Sequence, residues 1–256
     1  MNVGLNERVI IVTGAASGIG EAIAKLAALS GARLLLTDRS VEGLQRVADT
    51  LPGDVATVAA DLSDRGAPGV IVKACLAAFG HVDGLVNAAG LTTRASALDG
   101  TEQNWDDLFA VNARAAFFLM QGVLADMLGR KSGGAIVNIL SMNALCGAPE
   151  LAIYSATKGA LLTLTKNLAN AHLADRIRVN GINLGWVNTP AEHHMQSVIL
   201  GKGEGWLQDV SAELPLGDLV GAEDAARLAV YLLSDASTPL TGAAIDLEHR
   251  VTGAPG

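Results

Sequence analysis

The stretch RVIIVTGAASGIGEAIA, residues 8–24, joins a strand pattern to a helix pattern through a turn that is rich in glycine. Its opening letters, RVIIVT, form a short β-branched apolar run, which is typical of a buried strand. Gly14, Gly18 and Gly20 follow, and they let the backbone turn sharply and approach a pyrophosphate. The helix that comes next would direct its N-terminus at that negative charge. The stretch therefore predicts a strand–turn–helix unit that binds a nucleotide.

The class of nucleotide follows from the residues around this turn. A glycine trio alone is a weak signal, because glycine occurs in tight turns of every kind. Here, however, the next strand pattern, RLLLTD, ends at Asp38, close to where an acid binds the adenosine ribose of a dinucleotide. A nucleoside-triphosphatase loop needs Lys and then Ser or Thr after its last glycine, and Glu21 occupies that place. The pattern therefore favours a dinucleotide.

Strand-like and helix-like segments alternate along the rest of the chain. The further strand patterns are VATVAADL, DGLVNAAG, GAIVNIL, IRVNGINL and GAAIDLE. This alternation predicts an α/β fold of the doubly wound, Rossmann type, with a mostly parallel seven-stranded sheet and helices on both faces. No linker breaks the series, so residues 1–256 are expected to form a single dinucleotide-binding and catalytic domain. The polar, glycine-containing stretch at about residues 188–216 predicts a substrate loop.

Composition and charge argue against several classes of protein. The chain has 256 residues, of which 50% are apolar, so it can bury a large core. A net charge of -8 with scattered basic residues argues against a nucleic-acid partner. We find neither a signal-peptide pattern at the N-terminus nor an apolar run of about 18 residues, and we expect no membrane span. The two cysteines, Cys75 and Cys146, do not suggest a disulfide framework, so the expected location is cytoplasmic.

Six motifs occur in one order along the chain. They are TGAASGIG, Asp61 after the third strand pattern, NAAG at residues 87–90, Asn112 in FAVNARAAFFL, Ser141 after the fifth strand pattern, and YSATK from Tyr154. In this order they resemble the short-chain dehydrogenase/reductase family, and the resemblance covers nearly the whole chain. It implies an oxidoreductase with the catalytic residues Asn112, Ser141, Tyr154 and Lys158, in which Asn112 holds a water that links Lys158 to solvent.

The resemblance also implies a nicotinamide cofactor, laid across the ends of the strands. The expected cofactor-binding residues are Gly14, Ser17, Gly18, Ile19, Gly20, Asp38, Asp61, Leu62, Asn87, Ala88, Ala89, Gly90, Tyr154, Lys158, Val187 and Thr189. Asp38 favours NAD, because its carboxylate would lie close to the 2′-phosphate of NADP and repel it. Ala16 offers no positive charge for that phosphate, whereas Arg39 is within reach of it and argues the other way.

The spacing of Tyr154 and Lys158 suggests how a phenol acts as a base. Residues four apart on a helix project from one face, with Cβ atoms about 5 to 6 Å apart. A free phenol has a pKa of about 10 and removes an alcohol proton poorly at neutral pH. We expect the Lys158 ammonium, together with a positively charged nicotinamide, to lower the pKa of Tyr154. Ser141 would then donate a hydrogen bond to the substrate oxygen as negative charge builds there.

A group of polar side chains predicts the substrate pocket. The expected residues are Ser141, Asn143, Glu150, Tyr154, Trp186 and His193, with Glu192, Gln196 and residues 92–94 nearby. Such a wall suits a sugar or polyol better than an apolar compound. An apolar carbonyl substrate such as a steroid or 3-oxoacyl compound stays open, as do a non-catalytic nucleotide-binding scaffold and a methyltransferase-like protein. We expect no metal, because the adjacent side chains of His193 and His194 diverge.

Two positions depart from the family pattern. Leu184-Gly185 stands where the family has Pro-Gly after the sixth strand, which alters the turn at the nicotinamide end of the site. The segment AIDLEHR near the C-terminus lacks the glycine pair that usually follows the last strand. The family resemblance implies a homo-oligomer, a homotetramer or a dimer, and the second departure bears on the subunit contacts.

Overall fold

A parallel sheet of seven strands forms the centre of the protein. The computed structural model describes residues 3–145 and 147–249, so Cys146 and both chain ends lie outside the described residues. The strands of this part are β1 (Val9–Thr13), β2 (Arg33–Asp38), β3 (Val55–Ala59), β4 (Gly84–Asn87), β5 (Gly134–Ile139), β6 (Ile177–Leu184), β7 (Val187–Asn188), β8 (Val220–Gly221) and β9 (Ala244–Leu247). The order in the sheet is β3-β2-β1-β4-β5-β6-β9, and every pairing is parallel. This confirms the predicted doubly wound fold.

Helices cover both faces of this sheet. In the described residues they are α1 (Gly18–Leu29), α2 (Val41–Ala48), α3 (Ala67–Phe79), α4 (Glu102–Phe109), α5 (Ala116–Arg130), α6 (Ala152–Ala171), α7 (Pro190–His194), α8 (Trp206–Glu213) and α9 (Ala222–Leu233). Two segments have π-helical hydrogen bonding, Ala110–Ala115 between α4 and α5 and Met195–Ile199 after α7. Short 3₁₀ turns occur at Met142–Ala144, Pro149–Leu151 and Asp235–Ser237.

Two hydrophobic cores lie on opposite faces of the sheet. Side chains alternate along a strand, so Ile10 and Val12 of β1 join the core under α1, α2 and α9, while Val9 and Ile11 join the core under α3, α5 and α6. All five residues of β1 are buried, as expected for a parallel strand covered on both faces. The direction of winding changes beside β1, because β2 and β4 flank it and lead to opposite edges. The carboxyl ends of β1 and β4 therefore form the crevice in which this fold binds ligands.

One helical run is longer than the sequence led us to expect. Residues 102–130, in which α4, the first π segment and α5 are continuous, are long and apolar enough to cross a membrane by length and composition. In the structure, 56% of the most apolar window of this run is buried inside the protein. Leu119 and Val123 pack fully buried in the core beneath the sheet. Packing in that core accounts for the apolar composition of the run.

The predicted substrate loop at residues 188–216 is mostly helical. Thr189 accepts a hydrogen bond from the backbone of Glu192, and Pro190 occupies the first position of α7. Both are start signals for a helix. Residues on either side of the segment pair with each other, because Val187 of β7 and Val220 of β8 are partners in a small second sheet. This pairing holds the two ends of the segment, hereafter the helical lid (residues 188–216), together beside the main sheet.

Arg178 of β6 anchors helix α9 from inside the protein. Its buried guanidinium donates hydrogen bonds to the carbonyls of Leu232, at 2.7 Å, and Ser234, at 2.9 Å. These carbonyls lie at the end of α9, where the backbone leaves acceptors without helical partners. Burial lowers the pKa of Arg178, and the nearby Asp235 opposes that shift. Since α9 packs along α1, Arg178 indirectly supports the helix that follows the glycine turn.

Loss of this buried cap should destabilise the protein. We expect Arg178→Met to lower the free energy of unfolding by about 3 to 5 kcal/mol, because it leaves several buried carbonyls without a donor. Urea unfolding measures the change. The matched control is Arg65→Met at an exposed position, where a change below about 0.5 kcal/mol is expected. Equal effects of the two substitutions would show that the cap contributes nothing.

Candidate active site

A cleft of about 1040 Å³ opens at the carboxyl ends of the strands. It extends from the glycine turn after β1, past the ends of β2, β4 and β5, to the helical lid. Its volume is at the upper end of the range of about 300 to 1,000 Å³ found for small-molecule and cofactor sites. The cleft can therefore hold a dinucleotide together with a small substrate.

Most of the predicted site residues line this one cleft. They are Gly14, Ser17, Gly18, Ile19, Gly20, Asp38, Asp61, Leu62, Ala88, Ala89, Gly90, Ser141, Asn143, Glu150, Tyr154, Lys158, Trp186, Val187 and Thr189. The remaining three, Asn87, Asn112 and His193, belong to the described residues but do not line it. The structure thus brings together residues from both halves of the chain.

The glycine turn fits the phosphates of a nucleotide. Gly14 and Gly18 have φ values of +66° and +55°, which residues with a side chain rarely adopt. A Cβ on Gly20 would lie 2.1 Å from the carbonyl oxygen of Gly14, so α1 can approach the turn only with glycine there. Within the described residues no side chain caps the start of α1, and its first N–H groups are available to an anion. The residues present therefore suit a pyrophosphate.

Asp38 and Arg39 stand where the ribose of an adenosine would lie. The Asp38 carboxylate accepts hydrogen bonds from the backbone of Ser40, at 3.0 Å, and Ala16, at 3.3 Å. Its negative charge is thereby held at the end of β2 beside the glycine turn. Arg39 lines the same part of the cleft and is exposed. Both features on which the choice between NAD and NADP depends are therefore at the site.

Sequence reasoning missed Arg46, which supports the glycine turn from behind. This guanidinium donates to the carbonyl of Ala16 at 2.7 Å and to the carboxylate of Glu21 at 2.7 Å. Hydrogen bonding from Arg46 is the main reason that the pKa of Glu21 falls to about 2, with Lys25 contributing. The sequence held no sign of this role, because Arg46 lies on α2 and meets the turn only in the folded protein.

Ser141, Tyr154 and Lys158 come together at the floor of the cleft. Their side chains are nearly buried and come from two elements, the end of β5 and the first turns of α6. Lys158 donates a hydrogen bond from Nζ to the carbonyl of Ile139 at 2.7 Å, and its Nζ lies 5.7 Å from the centre of the Tyr154 ring. The Oγ of Ser141 accepts a hydrogen bond from the backbone of Asn143 at 3.2 Å. The arrangement places a phenol, a hydroxyl and an ammonium around one point.

Burial dominates the proton affinity of these groups. Desolvation raises the pKa of Tyr154, a hydrogen bond with Ser141 opposes the rise, and the charge of Glu192 adds to it. Desolvation also lowers the pKa of Lys158 to about 8. The sequence-based expectation that the pKa of Tyr154 falls therefore does not hold for the protein alone. The physical reason is that loss of hydration in this buried site outweighs the hydrogen bond with Ser141.

Asn112 lies behind the wall of the cleft rather than in it. Its side-chain amide accepts from the backbone N–H of Leu91 at 2.8 Å and donates to the carbonyl of the same residue at 2.9 Å. It also donates to the hydroxyl of Thr157, at 3.1 Å, on the helix that carries Tyr154 and Lys158. Asn112 belongs to the first π segment, and such bulges often occur at functional sites. The asparagine thus joins the loop after β4 to α6.

The other two residues outside the cleft have different partners. Asn87 donates to the side chain of Asn138 at 2.8 Å, its neighbour on β5, so it bridges two strands instead of facing a cofactor. His193 contacts Glu204 through Nε2 at 3.0 Å and accepts from Nε1 of Trp206 at 3.0 Å. Neither side chain is among those that line the cleft, and the binding roles expected of them stay predictions. The Oδ1 atom of Asn87 is buried and has no hydrogen-bond partner among the described residues.

The helical lid contributes a polar wall to the substrate end of the cleft. The indole of Trp186 donates to Oε1 of Glu192 at 2.7 Å and stacks on Trp206 with ring centres 5.9 Å apart. Glu248, which follows β9 and which sequence reasoning did not select, also lines the cleft. A Cβ at Gly185 would lie 1.9 Å from Oε2 of Glu248, so the turn after β6 and this carboxylate occupy the same corner.

Among the described residues, no group of three or more His, Cys, Asp or Glu side chains is arranged to bind a metal ion.

The chain is similar to a family model and to several characterised proteins. The model described as enoyl-(acyl carrier protein) reductase matches residues 14–249. A 3-oxoacyl-[acyl-carrier-protein] reductase of Thermotoga maritima is 32% identical, over 95% of this chain and 97% of its own length. D-threitol dehydrogenase of Mycolicibacterium smegmatis is 34% identical, over 97% of this chain and 94% of its own. L-sorbose reductase of Gluconobacter frateurii, solved with NADPH and L-sorbose, matches with a TM-score of 0.91 and 30% identity over all of both chains.

The burial of Lys158 should make the stability of the nucleotide-free protein depend on pH. A lysine in the unfolded chain has a pKa of about 10.4, against about 8 in the folded protein. Between these values the unfolded chain binds more protons, so stability rises with pH. Relative to Lys158→Met, we expect the free energy of unfolding of the parent to rise by about 2 kcal/mol from about pH 7 to 9.5.

Urea unfolding of both proteins across this pH range measures the difference. Lys73→Met, at an exposed position of α3, is the control and should follow the parent at every pH. If the parent and Lys158→Met changed in parallel, Lys158 would titrate near its ordinary value and the prediction would fail.

Proposed function

The chain belongs to the short-chain dehydrogenase/reductase family, and on that basis we propose that it is an NAD-dependent oxidoreductase that interconverts a secondary alcohol and a ketone on a sugar or polyol. That it is a nucleotide-dependent oxidoreductase follows from its relatives. The observation that carries the proposal is the meeting of Ser141, Tyr154 and Lys158 in a cleft that also contains the glycine turn.

The reaction divides between the cofactor and the protein. A nicotinamide nucleotide bound in the cleft would supply or accept the hydride. Tyr154 exchanges a proton with the substrate oxygen, and Ser141 donates a hydrogen bond to that oxygen. Lys158 is held against Ile139 and places its positive charge beneath the phenol. Asn112 acts as a positioning residue, because its contacts with Leu91 and Thr157 hold two walls of the site.

The raised pKa of Tyr154 bears on the direction of the reaction. Carbonyl reduction requires the protonated phenol, which burial favours. Alcohol oxidation requires the phenolate, so its rate should increase as the pH approaches the pKa of Tyr154 from below. In the protein alone, the phenol of Tyr154 is therefore in the protonated form that carbonyl reduction requires at neutral pH.

Asp38 supports NAD as the cofactor. The carboxylate is fixed by two backbone N–H groups beside the glycine turn, where it can accept hydrogen bonds from ribose hydroxyls. A 2′-phosphate there would meet a like charge in a partly desolvated place. Arg39 is the opposing feature, because it is exposed at the same end of the cleft and can turn toward a phosphate. The relative solved with NADPH shows that fold similarity alone does not separate the two cofactors.

The polar wall of the helical lid supports a sugar or polyol as substrate. Glu192 of the lid and Trp186, which precedes the lid, line the cleft, and so do Arg94 and Glu150, which are paired with each other. D-threitol and L-sorbose are named for two of the relatives. A second candidate, reduction of a 3-oxoacyl compound, is favoured by the description of the family model and by the Thermotoga relative. Apolar side chains also line the cleft, among them Leu91, Met142, Leu151, Met195 and Leu200. Our preference for the polyol therefore rests on the polar groups of the cleft and on the two sugar and polyol relatives.

We also propose that residues 1–256 form a single domain and that the protein is cytoplasmic. We propose further that it is a homo-oligomer, and we favour a homotetramer over a dimer. Aromatic exposure supports the association. Trp105 is 50% exposed and stacks on Phe109, and Phe118 is 45% exposed on α5 of the same long helical run. Exposed aromatic side chains are enriched at subunit contacts.

Removal of one hydroxyl tests the proposed chemistry. We expect Tyr154→Phe to lower kcat by about a hundredfold to ten-thousandfold, because general acid–base catalysis contributes that much. Fluorescence titration should show that NADH still binds. Activity is measured first on the parent by a screen of D-threitol, other polyols, sugars, hydroxy acids and steroids with NAD, and of L-sorbose with NADH.

Tyr231→Phe is the matched control, because Tyr231 lies on α9 outside the cleft. It should leave turnover unchanged. A Tyr154→Phe enzyme within tenfold of the parent would rule out the phenol as the proton donor.

Neutralising one carboxylate tests the choice of cofactor. We expect the parent to bind NADH more tightly than NADPH and Asp38→Asn to shift that ratio toward NADPH by at least about tenfold, or about 1.4 kcal/mol, because the like-charge repulsion is gone. Asp54→Asn, in the loop before β3, is the control and should not change the ratio. If the parent bound NADPH more tightly than NADH, attraction of the 2′-phosphate by Arg39 would outweigh its repulsion by Asp38.

A further inference from the structure

One carboxylate of the helical lid has no cationic partner in the described structure. Glu192 is half-buried and lines the substrate end of the cleft. Its Oε1 accepts two hydrogen bonds, from Nε1 of Trp186 at 2.7 Å and from Nε2 of Gln196 at 2.6 Å. Within the described residues, Oε2 receives no hydrogen bond and no Lys, Arg or His forms an ion pair with the group. A carboxylate oxygen is therefore available to a ligand in the cleft.

The Glu192 side chain is held in position by its neighbours. Its backbone N–H donates to Oγ1 of Thr189 at 3.2 Å, which fixes the first turn of α7. Trp186 is itself packed against Trp206, whose side chain is 1% exposed. Gln196 is also buried, and its Oε1 has no partner among the described residues. Because Oε1 of Glu192 is held twice, Oε2 keeps one direction and is prepared to accept a hydrogen bond.

Two carboxylates that line the substrate end of the cleft have no cationic partner within the described residues. Glu150 is paired with Arg94 at 2.9 Å, and those two charges cancel. Glu192 and Glu248 remain, and Glu248 accepts only a backbone N–H, from His249 at 2.6 Å, within the described residues. Lys202 lies 6.0 Å from the centre of the Trp186 ring and is exposed. A substrate with its own carboxylate or phosphate would meet repulsion here, whereas hydroxyl groups would meet acceptors.

The charge of Glu192 also reaches the reacting end of the site. Glu192 and Tyr154 line the same cavity, and the negative charge of Glu192 adds to the rise in the pKa of Tyr154. A polyol with its reacting oxygen at Tyr154 would therefore share this cavity with the Glu192 carboxylate.

We propose that Glu192, oriented by Trp186 and Gln196, is a specificity-determining residue that accepts a hydrogen bond from a hydroxyl of an uncharged polyol and rejects anionic analogues such as sugar acids. This inference rests on the proposed function and names the substrate class within it. The hydroxyl donates to Oε2, and this charge-assisted hydrogen bond orients the carbon chain relative to Tyr154. An anionic analogue would place a second negative charge beside Glu192 and Glu248.

The test compares two matched substrate pairs in the intact enzyme with NAD. D-threitol is paired with D-threonate and D-glucitol with D-gluconate, so that each pair differs at one terminal carbon. Glu192→Gln keeps an oxygen that accepts from Trp186 and Gln196 but removes the charge. We expect Glu192→Gln to lower kcat/KM for the polyols by about tenfold to a hundredfold. The ratio of kcat/KM for a polyol to kcat/KM for its sugar acid should also fall. Glu213→Gln, an exposed position of α8, should leave both values unchanged.

A second variant separates charge from position. Glu192→Asp keeps the negative charge and withdraws it by one methylene group. It should therefore still reject sugar acids while losing polyol activity. If Glu192→Asp matched the parent on polyols, the position of the carboxylate would not matter and the proposal would be overturned.

A readout without substrate completes the test. Ultraviolet titration of the nucleotide-free protein, with Tyr154→Phe as the baseline, follows ionisation of the Tyr154 phenol. Loss of the Glu192 charge should move its midpoint to lower pH, and Glu213→Gln should not. A parent that oxidises no polyol overturns the proposed function and this inference together. A parent that oxidises polyols, with an unchanged ratio of polyol to sugar acid in Glu192→Gln, overturns the role of Glu192 alone.

Discussion

The hydrogen bond from Nζ of Lys158 to the carbonyl of Ile139, at 2.7 Å, connects the helix that carries the phenol to the sheet. Ile139 is the last residue of β5 and Ser141 follows two positions later, so this contact sets where Tyr154 and Ser141 meet. The ammonium is almost fully buried, and a buried charge needs hydrogen-bond partners. Burial in turn lowers its pKa to about 8. The same contact therefore determines both the geometry of the site and the proton affinity of one of its groups.

Two departures from regular backbone geometry shape the cleft around this contact. One is the glycine turn after β1, and the other is the π segment before α5. Gly20 lets α1 approach the turn after β1, where any Cβ would collide with the carbonyl of Gly14. The π segment at Ala110–Ala115 turns Asn112 toward Leu91 and Thr157, so that the loop after β4 is joined to α6. Each irregularity weakens regular backbone geometry locally. In return, the nucleotide end and the chemical end of the cleft keep a fixed separation.

Electrostatics divides the cleft into two regions. At the nucleotide end, no side chain of the described residues caps the start of α1, and the backbone of Ala16 and Ser40 fixes the Asp38 carboxylate, which suits a pyrophosphate followed by a ribose. At the substrate end, Glu192 and Glu248 have no cationic partner within the described residues, while Arg94 is paired with Glu150. The phenol of Tyr154 lies between these regions and responds to both burial and the charge of Glu192. If Glu192 selects the substrate as we propose, one carboxylate couples substrate selection to the proton affinity of Tyr154.

The sequence by itself determined the fold and the position of the proposed catalytic groups. Alternating strand and helix patterns predicted the parallel sheet, and local rules placed Asp38, Ser141, Tyr154 and Lys158 at strand ends and on one helix face, because these depend on neighbours in sequence. Tertiary structure alone decided the partners of Asn87, Asn112 and His193, and the roles of Arg46 and Glu248, since these contacts join distant parts of the chain. The helical lid was mistaken for a loop because its polar composition hides helices shorter than three turns. Tertiary structure also decided the direction of the Tyr154 pKa shift, because desolvation depends on how deeply the whole protein buries the phenol.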